Sequence, residues 1–433
     1  MPKKSKKVYI TLSADILHEG HINILKIGSG YGKVIVGLLT DKAICTYKRI
    51  PHLDFDERKK IVSKLKYVDN VVPQDSLDHS YNLRKYKPDF VVHGDDWKTG
   101  ILKKTRGQVI KILKKWNGKL IEPRYTYNFS KKRFDQKVLE VGTTPDIRRA
   151  KLKRLVNAKN FIRILETHSP LAGLIVENTS LTNNKKFKEF DGMWSSSLTD
   201  SALRGMPDNQ SVDYSTRTSA LMDIFNVTTK PLIFDIDNGG RIEHLKYVVK
   251  KLESTGVSAI IMEDKIGLKK NSLFENQEET KQDSIKNFCK KIKIAKKSSV
   301  TNDFLVIARI ESLILGKNVR DALKRAEKYS KAGADCIMIH SKNKNPDEIF
   351  KFSKIFCKSK FFKPLVAVPS TYSKTYEKKL YQNNFKIVIY ANHLLRASYV
   401  SMKDAAEKIL KYERSFEIEK KIYPIKKIIN LVS

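Results

Sequence analysis

The sequence predicts two α/β units in tandem: a parallel sheet with helices on its faces over residues 1–150, then a (β/α)8 barrel with C-terminal helices over residues 151–433. Three observations lead there. Four short β runs separated by helical segments fill the first hundred residues, a pattern that implies a parallel sheet. Eight strand-like runs then alternate with segments mostly long enough for a helix, the pattern of a barrel. Five consecutive runs of those eight end in residues able to do chemistry, for which packing gives no reason.

In the first unit the β runs are 8–12, 34–39, 68–72 and 90–93, with helices expected to begin near Gly20 and Asp54. In the second they are 161–166, 192–195, 231–237, 259–263, 304–310, 336–340, 364–368 and 386–390. Residues 151–158, 244–254, 319–332 and 346–357 have helical spacing. Residues 171–176 are apolar enough for a strand, but Ser169-Pro170 reads as a helix cap followed by proline at the first helical position. The region 402–416 is helical in pattern.

Composition narrows the class. Hydrophobic residues are 41% and charged residues 30% of 433, as in a soluble globular enzyme of two or three domains. No apolar run approaches the ~20 residues of a membrane helix. The run 8–12 behind the basic start is too short for a signal-peptide core, so a cytoplasmic protein is expected. Cys45, Cys289, Cys336 and Cys357 form no CxxC pair and are expected to be reduced, mostly buried thiols. The net charge is +37, but 66 of the 84 basic residues are lysines spread along the whole chain. Arginine is the residue suited to bidentate phosphate recognition. The excess therefore reads as a solvated surface rather than a specific nucleic-acid site, although a basic nucleic-acid-binding protein stands as the reading of a different class.

The barrel pattern places its polar residues at strand ends. Ser195 and Ser196 end the second run, Asp235 and Asp237 the third, Glu263 and Asp264 the fourth, Arg309 and Glu311 the fifth, His340 and Ser341 the sixth. A barrel crowds these onto one face, where such enzymes do their chemistry. Carboxylates at a strand end suit a hard cation such as Mg²⁺, which takes one or two of them and leaves room for substrate oxygens. Lys269 and Asn271, on the loop that follows, supply charge and amide donors for a phosphoryl group.

The run Glu263-Asp264-Lys265, five residues, Asn271-Ser272 resembles the hallmark of phosphoenolpyruvate mutases, as do FDGMWSSSL at 190–198, GMPDNQSVD at 205–213, IFDIDNG at 233–239, ARIE at 308–311 and IHSK at 339–342. The resemblance implies Mg²⁺ served by Asp235, Asp237 and Glu263, directly or through water. It implies Lys269, Asn271 and Ser272 on a loop that closes over the substrate, and Arg309, His340 and Ser196 on the phosphoryl and carboxylate groups. Asp208 falls near the reacting carbon, Trp194 walls the pocket, and backbone amides near Ser197 and Leu198 hold the carboxylate. Ser195 and Ser197 replace the family's small residue and glycine, and Asp237-Asn238-Gly239 replaces Asp-Thr-Gly; neither change removes a donor or ligand. The related lyases carry a cysteine where this loop has Lys269-Lys270-Asn271-Ser272, which argues against carbon–carbon cleavage.

In the first unit His18-Glu19-Gly20-His21 follows a strand and opens a helix. Two histidines at a helix N-terminus can grip a triphosphate. A zinc reading is weaker, because no third ligand is evident and the spacing is not HExxH. Val36-Gly37, Asp41, Lys48, Pro51, Glu57-Arg58, Val68-Asp69, His93-Gly94-Asp95-Asp96-Trp97 and Gly142-Thr143-Thr144-Pro145 resemble the cytidylyltransferases of glycerol 3-phosphate, phosphocholine and phosphoethanolamine. That resemblance implies a Rossmann-like nucleotidyltransferase domain using CTP, with His18, His21 and Lys48 on the triphosphate, and His93, Asp95, Thr143 and Thr144 as further contacts. Lys137 and Glu140 stand where the family has an arginine and a glycine.

Together the two resemblances imply an enzyme of phosphonate synthesis that makes 3-phosphonopyruvate from phosphoenolpyruvate and transfers CMP to a small phosphonate, as a homotetramer or homodimer. A phosphonopyruvate hydrolase on the same barrel, beside an inactive first unit, is the alternative.

Overall fold

The computed structural model describes residues 5–124, 143–183, 186–267, 269–272 and 280–432. Two compact units emerge: Met1–Thr143 with Lys153–Ile162 and Thr179–Glu189, and Thr144–Leu152 with Arg163–Asn178 and Phe190–Ser433.

The first unit is a parallel sheet of five strands, β1 (Lys7–Leu12), β2 (Lys33–Leu39), β3 (Asn70–Gln74), β4 (Phe90–Val92) and β5 (Lys119–Ile121), in the order β3-β2-β1-β4-β5. The four expected strands form, and β5 is an addition, too short and too half-exposed to read from its pattern. Side chains alternate across the sheet, so Val8, Ile10, Val34 and Val36 pack on one face while Tyr9, Ile35 and Val91 pack on the other. Gly37 is glycine because a Cβ there would meet the Tyr9 hydroxyl at 1.9 Å. That hydroxyl donates to Gln74 Oε1 at 2.7 Å and accepts from Asn82 at 2.9 Å inside the sheet. Asp54 caps the helix Phe55–Val62 through a reciprocal capping box with Glu57.

The second unit is a closed barrel of eight parallel strands: Ile162–Glu166, Gly192–Ser195, Leu232–Asp235, Ala259–Glu263, Leu305–Ile310, Cys336–Ile339, Leu365–Ala367 and Phe385–Tyr390, called here strands one to eight of the barrel. The expected strands all form, and the segment behind Ser169-Pro170 is the helix Pro170–Asn178. Two antiparallel pairs were not anticipated: Lys265–Ile266 with Lys281–Gln282 in this unit, and Ser180–Asn183 with Lys186–Glu189 in the first. Both are short and polar, and period-two alternation cannot register in them. The helix expected over 402–416 runs His393–Tyr412 and has no buried residue; the short helices Phe416–Glu419 and Ile425–Val432 follow it. Of the cysteines, Cys336 is buried and the other three are half-buried, against the expectation that most would be buried. Among the described residues no helix is long and apolar enough to cross a membrane.

One buried cation fixes the rim between strands two and three. Arg217, on the helix Tyr214–Asn226, is 2% exposed; it donates to Asp200 Oδ2 at 2.8 Å and to the Asp235 carbonyl at 2.7 Å, and lies 4.2 Å from the centre of the Phe234 ring. Removing one partner of a buried pair strands the other charge in low dielectric. Arg217→Leu is therefore expected to lower barrel stability by about 3–5 kcal/mol, read as a lower urea midpoint; an unchanged midpoint would show that this tie contributes little.

Candidate active sites

Adjacent rim residues of the barrel diverge, because successive side chains on a strand point to opposite faces. Ser196, Glu263 and His340 line a cavity at the C-terminal ends of the strands. Their neighbours turn outward: Ser195 donates to Asp200 at 2.7 Å, Asp264 accepts from Tyr329 at 2.7 Å and Arg325 at 3.0 Å, and Ser341 bonds Glu348. The expectation that all ten rim residues share one face is thus corrected for three of them, Ser195, Asp264 and Ser341. Asp235 and Asp237, two apart, do share a side, as do Arg309 and Glu311.

The cavity holds a chain of buried charges. The Lys269 ammonium touches Asp237 Oδ1 and Ser197 Oγ, and stands 3.1 Å from Asp208 Oδ1 and 4.0 Å from Asp235 Oδ2. Asn271 Nδ2 donates to the other Asp208 oxygen at 2.8 Å. Arg309 donates to Glu311 at 2.5 Å, to Ser272 Oγ at 2.6 Å and to His340 Nδ1 at 3.1 Å, and lies 3.3 Å from Glu263. Ser272 in turn donates to Glu311 at 2.7 Å and accepts from Lys265 at 2.9 Å, so it positions Arg309. Asp237 has φ +53°, a left-handed conformation that a short polar residue tolerates, and Gly239 follows at φ +79° with no room for a Cβ beside the Met262 sulfur.

Burial weakens the Lys269 ammonium, but Asp237, Asp235 and Asp208 outweigh it and hold its pKa well above the ordinary value. Burial likewise opposes ionisation of Asp235, yet Lys269, Arg309 and Arg217 pull its pKa below the usual carboxylate range. Glu263 is pushed up to about 7 by burial, against the pull of Arg309. Burial and then Arg309 lower His340, so its ring is neutral. Because Arg309 donates to Nδ1, the His340 proton sits on Nε2, which is buried with no partner among the described residues. Trp194 Nε1 is buried without a partner too, and both residues line the cavity.

Among the described residues no group of three or more acidic, histidine or cysteine side chains is drawn together as a metal cage. The donor set of Asp235, Asp237 and Glu263 is nevertheless all oxygen, and a hard cation held by one or two carboxylates needs no closed cage. Leu198, Trp194 and Ser197 line the cavity as expected. Ser370 and Asn392, from behind strands seven and eight, line it as well and were missed in the sequence.

The cavity of the first unit, ≈ 390 Å³, falls in the size range of small-ligand sites. His18 and His21 lie with ring centres 4.0 Å apart at the start of the helix Glu19–Ser29. Gly20 N–H donates to His18 Nδ1 at 3.1 Å and His18 N–H to His21 Nδ1 at 3.4 Å, which leaves the proton of each neutral ring on Nε2. Burial, then His18 and Lys48, lower His21 to about 3; burial alone lowers His18. Lys48 Nζ donates to Ser13 at 3.1 Å. His93 stacks on Trp97 at 3.8 Å, and its Nδ1 bonds the Gly94 carbonyl at 2.9 Å. Asp96, rather than the expected Asp95, lines this cavity, and His79 is an unforeseen third wall. Thr143 and Thr144 stand outside the lining, ahead of the helix Pro145–Ala158. Lys137, Glu140 and Gly142 lie outside the described residues.

Comparison with known proteins gives two family matches. A model described as phosphoenolpyruvate phosphomutase matches residues 152–410, and one described as cytidylyltransferase-like matches residues 13–153. The phosphoenolpyruvate phosphomutase of Tetrahymena pyriformis is 34% identical over 281 residues, covering 65% of this chain and 89% of that protein. A solved phosphonopyruvate hydrolase in complex with oxalate and Mg²⁺ is 32% identical with a TM-score of 0.57, covering 67% of this chain and 95% of the other. In the first unit, ethanolamine-phosphate cytidylyltransferase of Mus musculus is 39% identical over 84 residues, 19% of this chain and 21% of that protein.

His79 carries a pH consequence. Burial, then His93, lowers it to about 3 from an ordinary 6.5. A histidine with a depressed folded-state pKa contributes stability above its unfolded value and loses it as pH falls toward the folded one. The thermal midpoint of the first unit is expected to fall as pH drops below 6.5 toward 3, and His79→Gln to flatten that slope. An identical slope in the variant would contradict the assignment.

Proposed function

The chain belongs to the phosphoenolpyruvate phosphomutase family, and on that premise we propose that residues 151–433 isomerise phosphoenolpyruvate to 3-phosphonopyruvate, while residues 1–150 transfer CMP from CTP to a small phosphonate such as 2-hydroxyethylphosphonate, releasing pyrophosphate. The observation that carries the first half is a pair of buried N–H donors without acceptors among the described residues, Trp194 Nε1 and His340 Nε2, on a cavity that Lys269 and Arg309 also line. Such donors are matched by the oxygens of a bound anion.

In this reaction the bond from the enol oxygen to phosphorus breaks, and the oxygen keeps the electron pair. The enolate's methylene carbon then forms the carbon–phosphorus bond, so no atom or proton is gained or lost. Phosphoryl transfer of this kind is mostly positioning and charge stabilisation. Mg²⁺, held by Asp235, Asp237 and Glu263 directly or through water, would supply charge to the enolate oxygens. Ser197 and Leu198 would hold the carboxylate, Asp208 would sit by the reacting carbon, and Trp194 would wall the pocket. Arg309, His340, Ser196 and Asn271 would meet the phosphoryl group. Lys269 and Asn271, joined through Asp208, would keep water off it, with Ser272 behind them.

In the first unit the Nε2–H groups of His18 and His21 would stabilise the phosphate under attack, with Lys48 drawing off charge and His93 as a nearby contact. The exposed Tyr399, Val400 and Leu410 on the helix His393–Tyr412 support a homodimer or homotetramer.

³¹P NMR of the full chain with Mg²⁺ and phosphonopyruvate is expected to show phosphoenolpyruvate; inorganic phosphate in its place would assign the hydrolase reaction. Lys269→Met is expected to lower that turnover about 10²–10³-fold. With CTP and a panel of 2-hydroxyethyl-, 2-aminoethyl- and methylphosphonate, pyrophosphate is expected. His18→Ala should cut its release about 10²–10³-fold and leave the first reaction unchanged. No pyrophosphate with any acceptor would remove the second activity.

A further inference from the structure

The barrel's eighth strand runs into the helix His393–Tyr412, whose N-cap is Asn392. Asparagine at that position ordinarily turns its side chain back to accept the N2 or N3 amide. Here it does not, and no side-chain cap bond forms. The two amides in question, Leu394 N and Leu395 N, donate instead to Glu166 Oε2 at 3.0 and 3.3 Å, from the end of strand one. Glu166 is fully buried, and its other oxygen is bonded by His168. A carboxylate from across the barrel seam has taken over the capping, which releases the Asn392 amide for another purpose.

The released amide faces the active cavity. Asn392 is 8% exposed, lines the cavity beside Ser370, and has Oδ1 buried with no partner among the described residues. A buried amide oxygen without a partner is costly, so natural folds pair such groups with protein, water or ligand. A half-turn of the amide exchanges its acceptor edge for two N–H donors. In barrels of this type, phosphate groups are frequently bound by the loops after strands seven and eight. Ser370 and Asn392 stand on those two loops, whereas the carboxylates Asp235 and Glu263 stand on strands three and four.

We propose that Asn392 is a substrate-binding residue that donates its side-chain N–H to the phosphoryl group, and that Glu166 frees it to do so by capping the helix. The inference rests on the mutase reading above. The test uses the full chain with Mg²⁺, comparing wild type, Asn392→Ala and Asn392→Asp for phosphonopyruvate turnover and for oxalate affinity. Oxalate mimics the enolate and has no phosphoryl group. Asn392→Ala should lower kcat/KM about 10–100-fold, and Asn392→Asp, which sets a carboxylate against the phosphoryl oxygens, should lower it further, while both keep oxalate affinity within about 2-fold of wild type. Retained kcat/KM in both variants would overturn the proposal, and so would an equal loss of oxalate binding, which marks a structural role. A wild type that binds oxalate but turns over no phosphonopyruvate would instead sink the mutase reading beneath it.

Discussion

Everything at the barrel mouth depends on charge balance among groups that cannot reach bulk water. Asp235, Asp237, Glu263 and Glu311 are buried, as are Lys265 and Arg309. A single buried charge without a partner is destabilising by several kcal/mol, so the rim folds only as a paired set. Lys269 supplies the positive charge on the strand-three side, and Arg309 with Lys265 supplies it on the strand-five side. A second ring of pairs behind the first holds the strand ends in place: Arg217 with Asp200, and Arg325 with Asp264. These outer pairs stand outside the cavity lining and set where the inner groups stand.

Much of this was legible in the sequence, because strand ends are easy to find and the barrel brings them together. Asp235, Glu263, Arg309 and His340 are each at the end of an apolar run, and each lines the cavity. Glu263 and Asp264 both end strand four, but a strand sends adjacent side chains to opposite faces, and Asp264 turns to Arg325 and Tyr329. Strands seven and eight were less legible, because their polar residues, Ser370 and Asn392, follow the strand instead of ending it. Asn392 could have been found from Tyr390-Ala391-Asn392, read as a strand end followed by a helix cap. That Glu166 does the capping follows only from the three-dimensional packing, since the two lie far apart in the chain.

The first unit teaches the same lesson on a smaller scale. His18 and His21 announce themselves by spacing, but their tautomers come from backbone amides that only the fold supplies. Asp95 and Asp96 cannot be told apart in the sequence, and the 3₁₀ turn Asp95–Lys98 selects Asp96 for the cavity. His79 carries no motif at all; it stands ahead of the helix Ser80–Tyr86, with Nδ1 3.4 Å from the Thr11 hydroxyl of β1, a contact that only the fold supplies.

If the inner cluster is governed by charge balance, Lys269 and a divalent cation answer the same carboxylates. Titrating Mg²⁺ into the substrate-free full chain and into Lys269→Met tests this most directly. The account predicts that the variant binds Mg²⁺ at least about 5-fold more tightly, because Asp208, Asp235 and Asp237 have lost their competing ammonium. Equal or weaker Mg²⁺ binding by Lys269→Met would contradict it.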